Sequence, residues 1–175
     1  MPLLMSFARL PLRHGDRVLV IRLGALGDVV RTLPALHRIR TTFPGVHLAW
    51  IVEDLSRDLL VGHPEIDEVI RFPRQELRKE MGRPGRLAKG IAALSHELRD
   101  RRFTVAIDFQ GSFKSGLLAI LSGAPRRVGI APGHSRELSF LFTNEWSGLR
   151  NGDSTAWRGI CSWPRRSGPW EMRWR

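Results

Sequence analysis

Three sets of side chains in this chain have the type and spacing to do chemistry. The first is Asp28, which follows Gly24-Ala25-Leu26-Gly27 after the apolar run Arg17–Leu23. A carboxylate pinned on such a turn can take a proton from a hydroxyl within hydrogen-bond reach. The second is Asp108, Gln110 and Lys114, just after the apolar run Phe103–Ile107. The third is Arg78-Lys79, fixed positive charge suited to carboxylate or phosphate groups. Each set has an ordinary competing reading. Aspartate is a favoured helix N-cap, which would account for Asp28 and Asp108 without catalysis. Lys114 reads equally as an exposed helix residue, and Arg78-Lys79 as a solvated basic loop.

The elements that must position these groups are legible around them. Val18, Val20 and Ile21 lie in a run that ends at Gly24, as a parallel strand buried on both faces would. Gly24 and Gly27 bracket Ala25-Leu26, where the chain must reverse, and glycine makes positive φ cheap. Asp28 then opens a helix marked by Val29, Leu33 and Leu36, with Pro34 as an irregularity. That places a carboxylate at a helix N-terminus beyond a strand's carboxyl end, where open α/β sheets bind ligands. Further strands are expected at His47–Val52 (with Glu53 and Asp54 just past it), Glu68–Phe72, Phe103–Ile107 and Arg126–Ile130. Helical segments are expected from Asp54 to about Val61, over Gly90–Arg102 and over Leu117–Leu121, and a basic loop over Arg74–Arg86. Arg136–Phe142 reads as a short apolar segment. The alternation predicts an α/β fold, a Rossmann-like parallel sheet with helices on both faces.

A chain of 175 residues, 42% hydrophobic, suffices for one domain with a core. The net charge of +11 favours anionic partners, although 25 Arg against 3 Lys is a skew that GC-rich genomes also produce. One cysteine, Cys161, excludes an internal disulfide framework and fits a reducing compartment. No apolar run approaches the roughly 20 residues of a spanning helix. The start, MPLLMSFARLPLRH, is broken by Arg9 and Pro11, unlike a signal peptide, so residues 1–16 read as an extension of a cytoplasmic protein. No P-loop and no G-x-G-x-x-G is present, and no His, Cys or acidic set has metal-ligand spacing. The six histidines are scattered and none is assigned a role. Stacking aromatics are not interleaved with the basic loop, so nucleic acid is not an expected partner.

Taken in order, GALGDVVRTLPAL at 24–36, AWIVED at 49–54, Arg78-Lys79, VAIDFQGSFKS at 105–115 and RELSFLFTN at 136–144 resemble one known family. It is glycosyltransferase family 9, the lipopolysaccharide heptosyltransferases, and the likeness is to the N-terminal half of the type that adds the first heptose. The resemblance implies the N-terminal domain of a GT-B glycosyltransferase, two Rossmann-like domains facing across a cleft. It implies a Kdo-lipid A acceptor on this domain, an ADP-heptose donor on the second, and inverting transfer without a metal or cofactor. Asp28 becomes the general base. Gly27, Thr32, Arg78, Lys79, Gln110, Lys114 and Arg136 become acceptor-binding residues, although an Arg136-Glu137 ion pair fixing a loop is as plausible. The acceptor domain would span residues 17–146, with peripheral contact at the anionic inner face of the inner membrane.

From residue 147 the character changes. Residues 147–175 hold Trp157, Trp163, Trp170 and Trp174 with neither a helical nor an alternating period. Read from the last base of the Ser154 codon, synonymous codons for this stretch allow HGVERYLLLAAALGAV, a string with the family's next motif. The expectation is therefore a frameshift near residues 146–153, an aberrant tail, and a chain that keeps the acceptor side without the nucleotide-sugar domain. Such a chain is expected to show no useful transfer alone. The alternative is a non-catalytic basic module that binds anionic glycolipid or a membrane surface.

Overall fold

The computed structural model describes residues 12–130 and 138–147. Most of the expected N-terminal extension, and the tail from residue 148 onward, lie outside the described residues. The apolar runs form six strands: β1 (Arg17–Ile21), β2 (His47–Glu53), β3 (Glu68–Phe72), β4 (Val105–Asp108), β5 (Arg126–Ile130) and β6 (Glu145–Ser147). All pair in parallel, in the order β3-β2-β1-β4-β5-β6. Among the described residues five helices connect them: α1 (Leu26–Thr42), α2 (Asp54–Arg57), α3 (Arg74–Lys79), α4 (Pro84–Asp100) and α5 (Phe113–Leu121). A 3-10 turn, Leu138–Leu141, precedes β6.

Strand side chains alternate between two cores, as period two requires. Val18, Val20, Leu48, Trp50 and Val52 pack on one face with Val29, Leu36 and Ile39 of α1. Leu19, Ile21, Ala49 and Ile51 pack on the other with Leu94 and Leu98 of α4 and Leu118 of α5. The sheet is thus covered on both faces, and the expected fold class holds.

Several local expectations are corrected. α1 starts at Leu26 with Ala25 as its cap residue, so Asp28 is the third helical residue rather than the first. Ala25 is extended, and its carbonyl accepts from Asp28 N and Val29 N at 2.9 and 3.0 Å. Because the chain enters the helix in this way, neither Gly24 nor Gly27 needs positive φ; the left-handed glycine near the site is Gly111, at φ 69° after β4. The basic stretch 74–86 is not a loop but α3 followed by the start of α4. Pro84 begins α4, where a missing N–H costs nothing. α2 stops at Arg57 rather than continuing to Val61. α5 starts at Phe113, four residues before the apolar run, because Ser112 and Ser115 form a capping box. β6 was not expected; its three residues are too few to show a period.

The last strand is delivered by a close approach at α5. A Cβ on Gly116 would lie 2.7 Å from Phe142 Cδ2, so glycine makes room for that ring. Phe142 then meets Phe113 edge to face at 4.9 Å.

Candidate active site at the sheet's switch point

β1 and β4 are neighbours, with Ile21 opposite Asp108. The chain leaves β1 toward β2 on one side and β4 toward β5 on the other, so the strand order reverses between them. Such a point opens a crevice at the carboxyl ends of the strands. The Asp28 turn and the 108–115 loop border it.

Asp28 is held by a residue that the sequence reading missed. Arg22, just past the end of β1, places Nη2 2.5 Å from Asp28 Oδ2, while Arg31 Nη1 stands 3.9 Å from Oδ1. The Arg22 side chain is only 13% exposed, against 40% for Asp28. Its Nη1 donates to Phe109 O at 2.7 Å, and its own carbonyl accepts from the buried Trp50 Nε1 at 3.0 Å. Burial draws the Arg22 guanidinium below its usual range, opposed by the Asp28 carboxylate and more weakly by Asp108. Arg22 Nε is buried without a hydrogen-bond partner among the described residues. The signal in the sequence was a single arginine closing an otherwise apolar run, since a buried charge there must find an anion. Asp28 is accordingly not the helix cap.

The β4 loop is organised by Asp108, which is 3% exposed. Its Oδ1 accepts from Gln110 N and Gly111 N, both at 2.9 Å, and its Oδ2 accepts from Ser115 Oγ at 3.0 Å. Burial pushes its carboxyl above the usual carboxylate range, against the pull of those three donors and of Arg22. Asp108 shapes the loop, and Ser112 caps α5. Gln110 Oε1 accepts from Leu23 N at 2.9 Å, tying the two loops together, and its Nε2 lies 3.4 Å from Ser112 Oγ.

The other candidates separate into surface and interior. Gly27 is exposed, and a Cβ there would meet nothing within 4 Å, so the backbone beside Asp28 is open to a ligand. Thr32 is corrected: it is 1% exposed and donates to Asp28 O at 2.8 Å, steadying the first turns of α1 with no surface for an acceptor. Arg78 of α3 and Lys114 of α5 line one groove together with Arg74; Lys79 is exposed outside it. Arg74 is paired with Glu53 Oε2 at 2.8 Å, and Arg71 with Asp54 and Glu76. Arg78, Lys79 and Lys114 have no ion-pair partner among the described residues. Arg136 and Glu137 lie outside the described residues. Among the described residues no three His, Cys, Asp or Glu side chains cluster to hold a metal ion, and no helix is long and apolar enough to cross a membrane.

Residues 91–149 match the family model of glycosyltransferase family 9 (heptosyltransferase). The E. coli heptosyltransferase WaaC, solved with ADP-2-deoxy-2-fluoro heptose, superposes with a TM-score of 0.71 at 27% identity, covering 82% of this chain and 45% of its own. Over this part of its length the chain is similar to glycosyltransferase family 9. Its Rossmann-like sheet is that of the GT-B fold. Among curated relatives, lipopolysaccharide heptosyltransferase 1 of Pseudomonas aeruginosa is 30% identical over 121 residues, 69% of this chain and 34% of that protein. Lipopolysaccharide core heptosyltransferase OpsX of Haemophilus influenzae is 27% identical over 125 residues, 71% of this chain and 33% of its own length. The chain thus spans about a third of the length of the curated relatives that it matches.

Proposed function

We propose that this family 9 domain is the acceptor-binding side of a heptosyltransferase that transfers heptose from ADP-heptose to the Kdo-lipid A inner core. The observation that carries the reading is the Asp28 carboxylate, 40% exposed at the switch-point crevice and fixed by Arg22. In the proposed step an acceptor hydroxyl attacks the anomeric carbon of the heptose with inversion. A new C–O bond forms, the bond to the ADP phosphate breaks, ADP leaves with the electron pair, and Asp28 takes the hydroxyl proton. No metal or cofactor enters this scheme.

Arg78, Lys79 and Lys114, cations without an ion-pair partner among the described residues, suit the carboxylates and phosphates of such an acceptor. Gly27 would let the acceptor approach the backbone beside Asp28. Gln110 Nε2 would be its donor to a sugar hydroxyl, since Oε1 is engaged by Leu23. The basic surface also suits a peripheral position against an anionic membrane face on the cytoplasmic side.

Titration of the 175-residue chain with the deacylated Kdo-lipid A headgroup, and with plain anionic vesicles, tests the reading. The headgroup is expected to bind in preference, and Arg78→Ala to weaken it about tenfold or more. Equal binding of both ligands, indifferent to Arg78→Ala, would replace the acceptor site with a charge-driven surface binder.

A further inference from the structure

A groove of about 430 Å³ lies between α3, α4, α5 and the end of β3, and Asp28, Asp108 and Gln110 are not in its lining. Its lining is mostly apolar, with Leu94 and Leu118 buried at the floor and Met81 71% exposed at the mouth. Gly90 lets α4 come against Leu77 at one wall; a Cβ there would lie 2.9 Å from Leu77 Cδ2. Among the described residues, the polar ones in the lining are Arg74, Arg78 and Lys114, and none is acidic. Arg78 and Lys114 carry no ion-pair partner among the described residues. The groove is therefore an apolar trough under unneutralised positive charge.

That combination selects one kind of occupant. A saccharide in the trough would leave its hydroxyls without partners, and an extended peptide its N–H and C=O groups, each a costly desolvation. An aliphatic chain asks for no hydrogen bond and gains from every methylene removed from water. The cations then call for a phosphate or carboxylate where the chain leaves the groove. Arg74 also links the groove to the candidate active site, because its partner Glu53 lies beside Gly24: a Cβ on Gly24 would stand 3.7 Å from Glu53 Oε2.

We propose that this groove holds one acyl chain of the anionic glycolipid acceptor, with an acidic headgroup at Arg78 and Lys114. The inference rests on the acceptor reading given above and adds a lipid subsite to it. The domain then reads its acceptor at both ends, sugar at the crevice and hydrocarbon in the trough.

The test uses the full 175-residue chain and three soluble probes: the deacylated Kdo-lipid A headgroup, the same headgroup bearing one short acyl chain, and a fluorescent fatty acid. The monoacylated headgroup is expected to bind at least tenfold more tightly than the deacylated one and to displace the fatty acid. Fatty-acid affinity is expected to rise with chain length, up to about fourfold per methylene, until the groove is full. Ile91→Trp and Leu87→Trp, neutral changes that each fill the groove, are expected to erase the acyl advantage while leaving the deacylated headgroup's affinity unchanged. Equal affinity for the two headgroups overturns the lipid subsite and leaves the acceptor reading standing. Binding of the fatty acid with neither headgroup bound overturns the acceptor reading, and with it the source of the chain named here.

Discussion

Arg22 Nη2 stands 2.5 Å from Asp28 Oδ2, joining the exit of β1 to the first turn of α1. The same guanidinium donates to Phe109 O across the crevice, so one side chain sets the Asp28 carboxylate relative to both loops. The base role proposed for Asp28 requires a placed carboxylate, and a mostly buried arginine, itself held through its carbonyl by Trp50, does the placing.

Arg22→Met is expected to lower the unfolding free energy by about 1.5–3 kcal/mol, the range for hydrogen bonds that involve a charged group. Arg22→Lys should lose less, since an ammonium keeps the charge without the fork that reaches both partners. Urea unfolding of the three proteins measures this. A Met variant as stable as the parent would show that the contact positions nothing.

Asp28→Asn is expected to remove catalysis without removing the acceptor. In a chimera with residues 17–147 in place of the corresponding part of WaaC, heptose transfer should fall about 10²–10⁴-fold. Acceptor affinity should stay within about threefold, because an amide at this position keeps the shape and part of the polarity. Undiminished turnover would take the base role away from Asp28.

Asp108 is expected to matter for folding, with a distinctive pH signature. Asp108→Ala orphans the N–H groups of Gln110 and Gly111 and should cost about 2–4 kcal/mol; Asp108→Asn, which keeps an acceptor oxygen, should cost clearly less. Burial raises the folded-state pKa above its unfolded value of about 3.9, so the folded form binds the extra proton in the interval above that value. Stability from this group therefore grows as pH falls toward that interval and is lost as pH rises through it. Asp67 and Glu145, whose folded pKa values are lowered, act in the opposite sense. The stability of the parent minus that of Asp108→Asn, followed from about pH 7.5 down to about pH 4.5, isolates Asp108 and should increase. A flat difference would count against burial as the dominant influence on this carboxyl.

Gly116→Ala is expected to destabilise by about 1–3 kcal/mol through overpacking against Phe142. Combining it with Phe142→Ala should cost less than the sum of the two single changes, since the second removes the ring the first strikes. Strict additivity in urea unfolding would mean that the helix and the 3-10 segment do not meet as described.

Much of this was legible from the sequence because burial on both faces leaves long apolar runs, and β3 and β5 were bounded correctly from them. Proline and glycine misled at 82–85. They read as interruptions, yet Pro84 sits where a helix begins and its missing N–H is harmless. The Asp28 register was two residues off because an extended Ala25 starts the helix without any side-chain cap, and nothing in the residue types announces that. Asp108 and Gln110 stand out in the sequence just at and after the end of β4, but their division of labour depends on which oxygen meets which donor. Arg22 could have been found: an arginine at the end of a buried run implies a nearby carboxylate, and Asp28 is the next acid along the chain. The groove between α3, α4 and α5 could not, because it depends on how three helices lean together.

The parallel pairing of β1 with β4 has a consequence for the newborn protein. Arg22 and Phe109, partners across the crevice, are separated by 87 positions in the chain. Emerging from the ribosome, the first strand and its acid must wait for the fourth before the pocket exists at all. Non-local pairing of this kind is slow and leaves sticky strand edges uncovered in the meantime. Any nascent chain stopped short of residue 108 would hold the Asp28 carboxylate and have nothing to set it against.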